Sequence, residues 1–290
     1  MSVNRRVFVK NAAMAAAASW VLPAFAGSRR PAAQTATAGS MPFGIQLWTV
    51  KEDMTANAKE TLAKLAGYGY QQIESFEGGK GMFWGWSNKE FKKYMDDLGM
   101  TIVSSHCRHQ NDFERKAAEA AEIGMQYLIC PWLGPQKTID EFKKAAADFN
   151  KAGEICKKNG IRFAYHNHDY SFKPLEGQVP QEVMMKETDS SLVDFEMDIY
   201  WVVAAGEDPL KWFKRFPGRF KLCHVKDLKR TDKGQESVQI GRGVIDYPSV
   251  LSKGVKAGLS YFIIEQEAFT GTNQLESANA NAGYMRGLRV

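Results

Sequence analysis

Four residues of metal-binding type stand where four successive apolar segments of the chain end. Imidazole and carboxylate groups bind borderline and hard divalent ions. Strands whose ends meet at one rim of a barrel can assemble such ligands from distant parts of a sequence. The sequence therefore predicts a site for one divalent ion, with Mn, Co, Zn, Mg and Fe as candidates. The predicted ligands are His166, Asp198, His224 and Glu265.

Other side chains that can transfer protons follow the same segment ends. We predict catalytic roles for Glu265, His106, His168 and Lys226, with Glu265 or His106 as the base. Glu74 is expected to contact the substrate or to orient a ligand. Two further acids are expected to be structural or to orient ligands, namely Asp227 and Glu267. Three others are expected to be helix-end or solvated charges, namely Asp189, Asp194 and Glu196.

Tryptophans are concentrated in the same segments. An exposed indole face packs well against the apolar face of a sugar ring, so this placement favours a carbohydrate ligand. The alternative is that two or three of these rings only pack the loops over the site. Trp48, Trp132 and Trp201 are the predicted substrate contacts, and Trp84 and Trp86 lie in comparable segments.

A repeated joint explains how these residues could be positioned. Amphipathic segments end in a glycine, which can adopt the left-handed C-cap conformation, and a strand-like run starts at once. Segment 87–98 shows the helical pattern, with Ser87 and Glu90 forming a capping box. The predicted strands are 43–48, 70–76, 100–105, 126–131, 161–166, 193–198, 219–225 and 260–265, and the glycine joints are Gly69, Gly99, Gly124, Gly160 and Gly258.

Eight strands that alternate with helices favour an α/β fold, a single-domain (β/α)8 TIM barrel over residues 42–290. A doubly wound open sheet is the alternative, but no Gly-x-Gly-x-x-Gly turn follows any strand. The catalytic residues of such a barrel lie at the carboxyl ends of its strands.

The N-terminal segment resembles an export signal. Arg5 and Arg6 match the twin-arginine pattern, an alanine-rich apolar stretch follows, and Ala24-Phe25-Ala26 is a cleavage signal. We therefore predict a signal peptide over 1–26, a disordered leader over 27–41 and a periplasmic protein with no stable membrane insertion once the signal is removed.

The net charge of the chain argues against one class of partner. The net charge of +5 falls to +2 without residues 1–26, which contain three basic residues and no acidic one, so nucleic acid is not an expected partner. The expected partner is a small sugar or glycoside, and the sequence leaves a homo-oligomer open.

The four cysteines lack metal-site spacing and are expected to be buried packing residues. They are Cys107, Cys130, Cys156 and Cys223.

The chain resembles the xylose isomerase-like TIM barrels over about residues 43–270. The resemblance is carried by segments 44–48, 104–106, 165–168, 198–201, 224–227, 240–243 and 263–267. It implies a metal held by Glu, Asp, His and Glu from the fifth to eighth strands, and an acid/base pair made from the two glutamates. Asp198, His224 and Glu265 match this pattern, whereas His166 replaces the first glutamate. Trp201 stands where the DNA-repair members have a histidine, which argues against a nuclease.

Three functions follow from these features. The first is a metal-dependent isomerase or epimerase that acts on a sugar or keto-sugar through an enediolate. The second is a lyase that removes an α-proton from a 3-keto glycoside and expels the aglycone, as the resemblance of the Tyr165-His166-Asn167-His168 segment to exported members implies. The third is a periplasmic sugar-binding protein whose metal only orders the rim. His166 in place of a glutamate removes one carboxylate base, which counts against a symmetric two-glutamate epimerase.

Overall fold

Eight parallel strands close into a barrel, as the alternation of strands and helices predicted. The computed structural model describes residues 41–289. The predicted signal peptide and all but the last residue of the predicted leader lie outside this range, so both stay predictions. The barrel strands are β1 (Gly44–Gln46), β2 (Gln72–Phe76), β3 (Thr101–His106), β4 (Tyr127–Cys130), β5 (Arg162–His166), β6 (Val193–Asp198), β7 (Phe220–Val225) and β10 (Tyr261–Ile264).

Their order around the barrel is β1-β2-β3-β4-β5-β6-β7-β10, and every neighbouring pair is parallel. Closure excludes the doubly wound sheet. All eight predicted strands are present, each within two residues of its expected limits. Between β7 and β10 lies an antiparallel hairpin that was not predicted, formed by β8 (Asp227–Thr231) and β9 (Gly234–Val238).

Helices surround the barrel and cover the outer face of the sheet. The segment predicted as a helix over 87–98 forms Asn88–Asp97, and the Ser87–Glu90 capping box is present. The helices are α1 (Lys51–Tyr68), α2 (Asn88–Asp97), α3 (Phe113–Glu122), α4 (Ile139–Lys158), α5 (Pro180–Glu187), α6 (Ile199–Ala204), α7 (Pro209–Arg215), α8 (Tyr247–Lys256) and α9 (Gln274–Gly287). None of the helices within residues 41–289 combines the length and the apolar character that a membrane crossing requires.

The glycine joints have the predicted conformation. All five adopt a positive φ, a region that residues with a side chain rarely enter. The φ values are 97° at Gly69, 70° at Gly99, 80° at Gly124, 78° at Gly160 and 102° at Gly258. Each glycine therefore turns the chain from a helix back into the next strand.

The apolar core has two parts because strand side chains alternate between the two faces of the sheet. The larger part lies between the sheet and the helices and includes Cys107 and Cys223. All four cysteines are buried, as predicted, and none of them forms a disulfide. The smaller part fills the barrel beneath the rim formed by the carboxyl ends of the strands, where residues such as Ile129, Ala164 and Leu222 pack together.

Asp227 fastens the loop that follows the hairpin to the start of β8. Its carboxylate accepts hydrogen bonds from the backbone N–H groups of Gly241 (2.8 Å), Gly243 (3.0 Å), Ile245 (3.3 Å) and Leu228 (2.8 Å). A side chain at Gly243 would not fit, since its Cβ would lie 2.2 Å from the Asp227 Oδ1 atom. Position 243 therefore requires a glycine, because any side chain there would collide with this carboxylate. Asp227 has the structural role that was expected.

We predict that Asp227→Asn lowers the free energy of unfolding by about 3 kcal/mol, because an amide group would face backbone donors that now meet a buried carboxylate. Equilibrium urea denaturation measures the change. Asp232→Asn is the matched control, since Asp232 is exposed in the hairpin turn, and it should alter stability little. Equal stability of the two variants would contradict this role for Asp227.

Candidate functional site

The four predicted metal ligands meet at the carboxyl rim of the barrel. His166 and Asp198 end β5 and β6, His224 lies near the end of β7, and Glu265 follows β10 directly. One ligand atom from each residue lies within 4.8 Å of every other. The four residues are almost completely buried, with at most 5% of their surface exposed.

An irregularity in the sheet decides which residue of β7 faces this cluster. Phe195 pairs with Phe220, but the next pair joins Glu196 to Leu222, so that one residue of β7 is passed over. Asp198 consequently lies beside His224 rather than beside Cys223. Because a one-residue shift reverses the face of every following side chain, a regular ladder would place a thiol in the site and the imidazole among the helices.

Each imidazole is held in place through the nitrogen that points away from the cluster. His166 Nδ1 lies 3.3 Å from the carbonyl oxygen of Pro131, which leaves Nε2 for the cluster. His224 Nε2 lies 2.7 Å from Glu74 Oε1, which leaves Nδ1. A metal-bound histidine commonly donates its other N–H to a carbonyl or carboxylate, which fixes the ring and its tautomer.

Asp198 is oriented in a similar way by the backbone. Its Oδ1 accepts a hydrogen bond from the N–H of Trp201 at the start of α6. The side chain of Asn167 bonds both the backbone N–H and the backbone C=O of Asp198, at 3.2 and 3.1 Å. Asp198 Oδ2 is then left buried without a hydrogen-bond partner. Asn167 thus positions a predicted ligand, a role that sequence reasoning had not assigned.

The cluster has dimensions that suit a bound cation. His166 Nε2 lies 3.2 Å from His224 Nδ1 and 3.4 Å from Asp198 Oδ2. His224 Nδ1 lies 3.1 Å from Glu265 Oε2 and 3.7 Å from Asp198 Oδ2. Ligands about 2.0–2.2 Å from a tetrahedral ion are about 3.3–3.6 Å apart. These spacings, together with the unpartnered Asp198 oxygen, fit one divalent ion.

The protonation preferences of the two histidines differ. Burial lowers the pKa of His166 to about 4, so its imidazole is neutral and can act as a ligand. Burial also opposes protonation of His224, but Glu196 and Glu265 outweigh it and raise the pKa. In the absence of a cation, His224 therefore carries the positive charge that the neighbouring carboxylates require, and an ion would displace its Nδ1 proton.

Lys226 is a buried cation beside the cluster. Its Nζ lies 3.2 Å from Glu265 Oε2, 3.7 Å from Asp198 Oδ2 and 2.5 Å from Glu267 Oε2. Burial opposes its charge, but these carboxylates outweigh burial and raise the lysine pKa. Lys226 is therefore protonated at neutral pH, which suits a fixed positive charge better than a base.

Three more ionisable residues form a second cluster inside the barrel. Glu74, His106 and Glu196 surround His224 Nε2, and all four residues are buried. Burial lowers the pKa of His106, but Glu74 and Glu196 outweigh it and raise that pKa to about 9. Burial and the Glu74 charge raise the pKa of Glu196 to about 7.

The expectation that Glu196 and Asp194 are solvated was therefore wrong. Both are buried, at 0% and 2% exposure, and Asp194 accepts hydrogen bonds from Arg162 and Tyr127 deeper in the barrel. The alternation Val-Asp-Phe-Glu-Met-Asp over 193–198 was the available signal, because an apolar face toward the helices places the acids in the barrel interior. Asp189 is solvent-exposed, as expected, and accepts a hydrogen bond from the Ser191 N–H.

A cavity of about 300 Å³ opens beside both clusters, large enough for a single sugar ring. Of the predicted site residues, the cavity wall contains Trp48, His106, Trp132, His166, His168 and Glu265. Glu267 also lines it, although it was expected to be structural or to orient a ligand. The other lining residues are Phe76, Glu77, Cys107, Arg108 and Pro131.

Two predicted substrate contacts do not reach this cavity. Glu74 is completely buried, and its oxygens already accept hydrogen bonds from Gln46 (2.8 Å), Ser104 (2.5 Å) and His224 (2.7 Å). It orients a ligand, which was the other expectation for it. Trp201 does not line the cavity and packs behind His168, with ring centroids 5.2 Å apart.

The remaining rim tryptophans divide in the same way. Trp84 is buried against Phe76, and Trp86 packs on Phe91 and Tyr94 of α2. Both rings therefore pack against neighbouring segments of the chain and do not reach the cavity. This was the alternative expected for two or three of the tryptophans. Trp48 and Trp132 retain 40% and 55% of their surface exposed at the cavity.

Comparison with known proteins agrees with this architecture. Residues 62–289 match the family described as "Xylose isomerase-like TIM barrel". The chain belongs to the xylose isomerase-like TIM barrel family. The resemblance predicted from the sequence is thus confirmed at the level of the family, while the exported subgroup stays a prediction.

Two curated relatives have the same informative name. Inosose dehydratase from Lacticaseibacillus casei is 27% identical over 150 residues, which are 52% of this chain and 46% of the relative. Inosose dehydratase from Clostridium perfringens is 31% identical over 91 residues, 31% of this chain and 30% of the relative. The chain thus matches less than half the length of either curated relative.

Solved structures match more of the chain. A sugar phosphate isomerase/epimerase from Parabacteroides distasonis has a TM-score of 0.75 and 30% identity, covering 86% of this chain and 94% of that one. A family protein from Mycobacterium smegmatis in complex with magnesium has a TM-score of 0.63 and 13% identity over 84% of this chain and 95% of that one, and shows the fold alone. These names favour an enzyme of the isomerase, epimerase or lyase type over a binding protein.

We predict that Asp198→Asn and His166→Ala each deplete the protein of its divalent ion. Loss of a residue that merely orients a ligand costs about 10–100-fold in metal affinity, so loss of a ligand should cost more. Metal content after dialysis, measured by plasma mass spectrometry, tests this. Asp194→Asn is the control, because it makes the same change on the same face of β6 away from the cluster. Full metal content in both ligand variants would refute the assignment.

Proposed function

We propose that this protein is a metal-dependent lyase that acts on a keto-sugar. In this reaction a base removes a proton from the carbon beside the carbonyl, and a leaving group departs from the next carbon. The observation that carries the proposal is the position of His166. Its Nδ1 is committed to Pro131 and its Nε2 to the metal cluster, so it cannot exchange a proton with substrate as the family's first glutamate can.

Glu265 is the proposed base. Its Oε2 contacts His224 and Lys226, which leaves Oε1 for the cavity that Glu265 lines. Burial raises the pKa of Glu265, but Lys226 and His224 outweigh burial and lower it, so the group is ionised and able to accept a proton. A divalent ion held by the four ligands would polarise the substrate carbonyl and stabilise the charge that develops on its oxygen.

His106 is the proposed acid. It lines the cavity, and β3, which carries it, stands three strands away from β10 around the barrel. Since its pKa is raised to about 9, it is protonated at neutral pH. The proton that Glu265 takes from carbon leaves to solvent, and the His106 proton neutralises the departing oxygen, so one C–H and one C–O bond break as one C=C bond forms.

Other cavity residues would hold the substrate. The pKa of His168 is lowered to about 2 by burial, so its neutral ring can exchange hydrogen bonds with a hydroxyl group or with the developing oxyanion. Lys226 contributes a fixed positive charge behind Glu265 and Glu267. Trp48 and Trp132 offer exposed indole faces to the apolar face of a sugar ring or of an aglycone.

The charges of the cavity wall favour a substrate without a phosphate group. Arg108 and the protonated His106 are outnumbered there by three carboxylates, those of Glu77, Glu265 and Glu267, which would repel a dianionic phosphate. A 3-keto glycoside meets this requirement and offers an aglycone as the leaving group. The twin-arginine segment supports action outside the cytoplasm, where glycosides are accessible, and the inosose dehydratase relatives support elimination from a keto-sugar.

Epimerisation or isomerisation is the second candidate. It is favoured by the similarity over most of the chain to a protein named as a sugar phosphate isomerase/epimerase. The first step would be the same removal of a proton by Glu265. The reactions diverge afterwards, because an epimerase returns a proton to carbon whereas a lyase gives it to the leaving oxygen.

We predict that the metal-loaded protein releases the aglycone from a 3-keto glycoside and that chelation abolishes the reaction. The experiment incubates the protein in deuterated water with 3-keto glycosides, inososes and unoxidised sugars, and follows both products and deuterium on carbon. Glu265→Gln should lower the rate by about 10²-fold or more, and Asp194→Asn should leave it near that of the wild type.

Each result selects one function. Aglycone or water release supports the lyase. A new stereoisomer that carries deuterium, without release of a leaving group, would replace the lyase with the epimerase. Tight calorimetric binding of a sugar with neither release nor exchange would indicate a binding protein and refute both enzymes.

We also predict that Trp48→Ala raises KM for a glycoside about tenfold with a small effect on kcat, because an indole face contributes about 1 kcal/mol beyond the area that it buries. Steady-state kinetics separate the two parameters. Trp86→Ala is the matched control, since it removes an indole that packs on α2 away from the cavity. Equal KM values for the two variants would argue against ring binding at Trp48.

A further inference from the structure

Glu196 has no part in the metal cluster or in the reaction described above, although it is completely buried in the barrel interior. A carboxylate in such a position must be paired, because its burial is otherwise very unfavourable. Its Oε2 lies 2.8 Å from Nε2 of His106, and its Oε1 is buried without a partner. The pairing with His106 therefore accounts for this buried acid.

The distances distinguish a hydrogen bond from a second metal site. Glu74, His106, Glu196 and His224 could in principle surround a cation. However, His106 Nε2 to Glu196 Oε2 is 2.8 Å, and His224 Nε2 to Glu74 Oε1 is 2.7 Å. These are lengths of charge-assisted hydrogen bonds, whereas ligands of one tetrahedral ion would be about 3.3–3.6 Å apart. The His106–Glu196 and His224–Glu74 contacts are therefore hydrogen bonds and not parts of a second metal site.

Glu74 is the more distant of the two carboxylates beside His106 Nε2. Glu74 Oε1 already receives His224 Nε2 at 2.7 Å and Gln46 Nε2 at 2.8 Å, and its distance to His106 Nε2 is longer, at 3.1 Å. Its Oε2 is occupied by the Ser104 hydroxyl at 2.5 Å. Glu196 is the carboxylate whose shortest contact is with His106.

The pairing determines which nitrogen of His106 faces the cavity. With Nε2 directed at Glu196, Nδ1 is the ring nitrogen available to a bound molecule. We propose that Glu196 is a positioning residue, which holds the His106 ring so that Nδ1–H can donate its proton to the oxygen of the leaving group. This inference rests on the proposed lyase function and concerns the step in which the C–O bond breaks.

The dependence on the leaving group provides the test. An alkoxide needs protonation as it departs, whereas 4-nitrophenolate does not. With metal-loaded protein, Glu196→Ala should slow release from an alkyl 3-keto glycoside about 10²-fold, the size of an acid-catalysis contribution, and release of 4-nitrophenol less than about threefold. Glu196→Gln should restore part of the alkyl rate, because its amide oxygen can accept the His106 N–H bond.

Two controls separate positioning from a general loss of structure. Asp194→Asn removes another buried carboxylate from the same face of β6 and should show no dependence on the leaving group. The double variant of Glu196→Ala with His106→Asn should be no slower than His106→Asn alone, since residues that act as a unit are not additive. Equal slowing of both substrates by Glu196→Ala, or additive effects in the double variant, would overturn the proposal.

The positioning of His106 can also be measured without turnover, independently of the lyase function. Nitrogen-15 spectra of the histidine rings should show His106 protonated at Nε2 in a strong hydrogen bond that Glu196→Ala removes. If the wild type releases nothing but this signal changes as expected, the lyase proposal fails and the positioning of His106 stands. If the signal does not change, or if each chain binds two metal ions, the positioning proposal fails whatever the activity.

Discussion

Several carboxylates are buried close to one histidine in this barrel, and the charges around them must compensate for that burial. Four carboxylates surround the His224 ring with at most 5% of their surface exposed, and each has an oxygen 2.7–3.7 Å from a ring nitrogen. They belong to Glu74, Glu196, Asp198 and Glu265. Unpaired carboxylates in such a position would be neutralised by protonation or would destabilise the fold. Lys226 and the histidines supply part of the compensating charge. A divalent ion held by the four predicted ligands would complete this compensation at the rim, and the His106–Glu196 pair contributes deeper in the barrel.

The barrel makes this arrangement possible through the registers of its strands. The irregularity between β6 and β7 brings His224 beside Asp198. A similar irregularity between β2 and β3 pairs Glu74 with Ser104, whose hydroxyl bonds to it. Each shift moves an entire set of side chains across the sheet. The site therefore depends on two local departures from a regular ladder as much as on its ligands.

The sequence was sufficient to predict the barrel, its eight strands and the association of His166, Asp198, His224 and Glu265, because glycine joints and strand ends are local features. It was not sufficient for contacts that depend on register. Glu196 was taken for a solvated residue, although the alternation along β6 indicated an interior position. The hairpin of β8 and β9 was missed because its strands are short and polar. A structural role for Asp227 was expected, but the backbone N–H groups that it binds lie in the loop after the hairpin, and the sequence did not reveal these contacts.

We propose that the side chains of His166, Asp198, His224 and Glu265 surround one divalent ion. Anomalous diffraction from crystals of the protein, recorded on both sides of the absorption edge of the metal found by elemental analysis, tests it directly. We expect a single peak about 2.0–2.2 Å from His166 Nε2, Asp198 Oδ2, His224 Nδ1 and Glu265 Oε2. A peak between Glu74 and Glu196, or metal-replete protein with no peak at the rim, would contradict it.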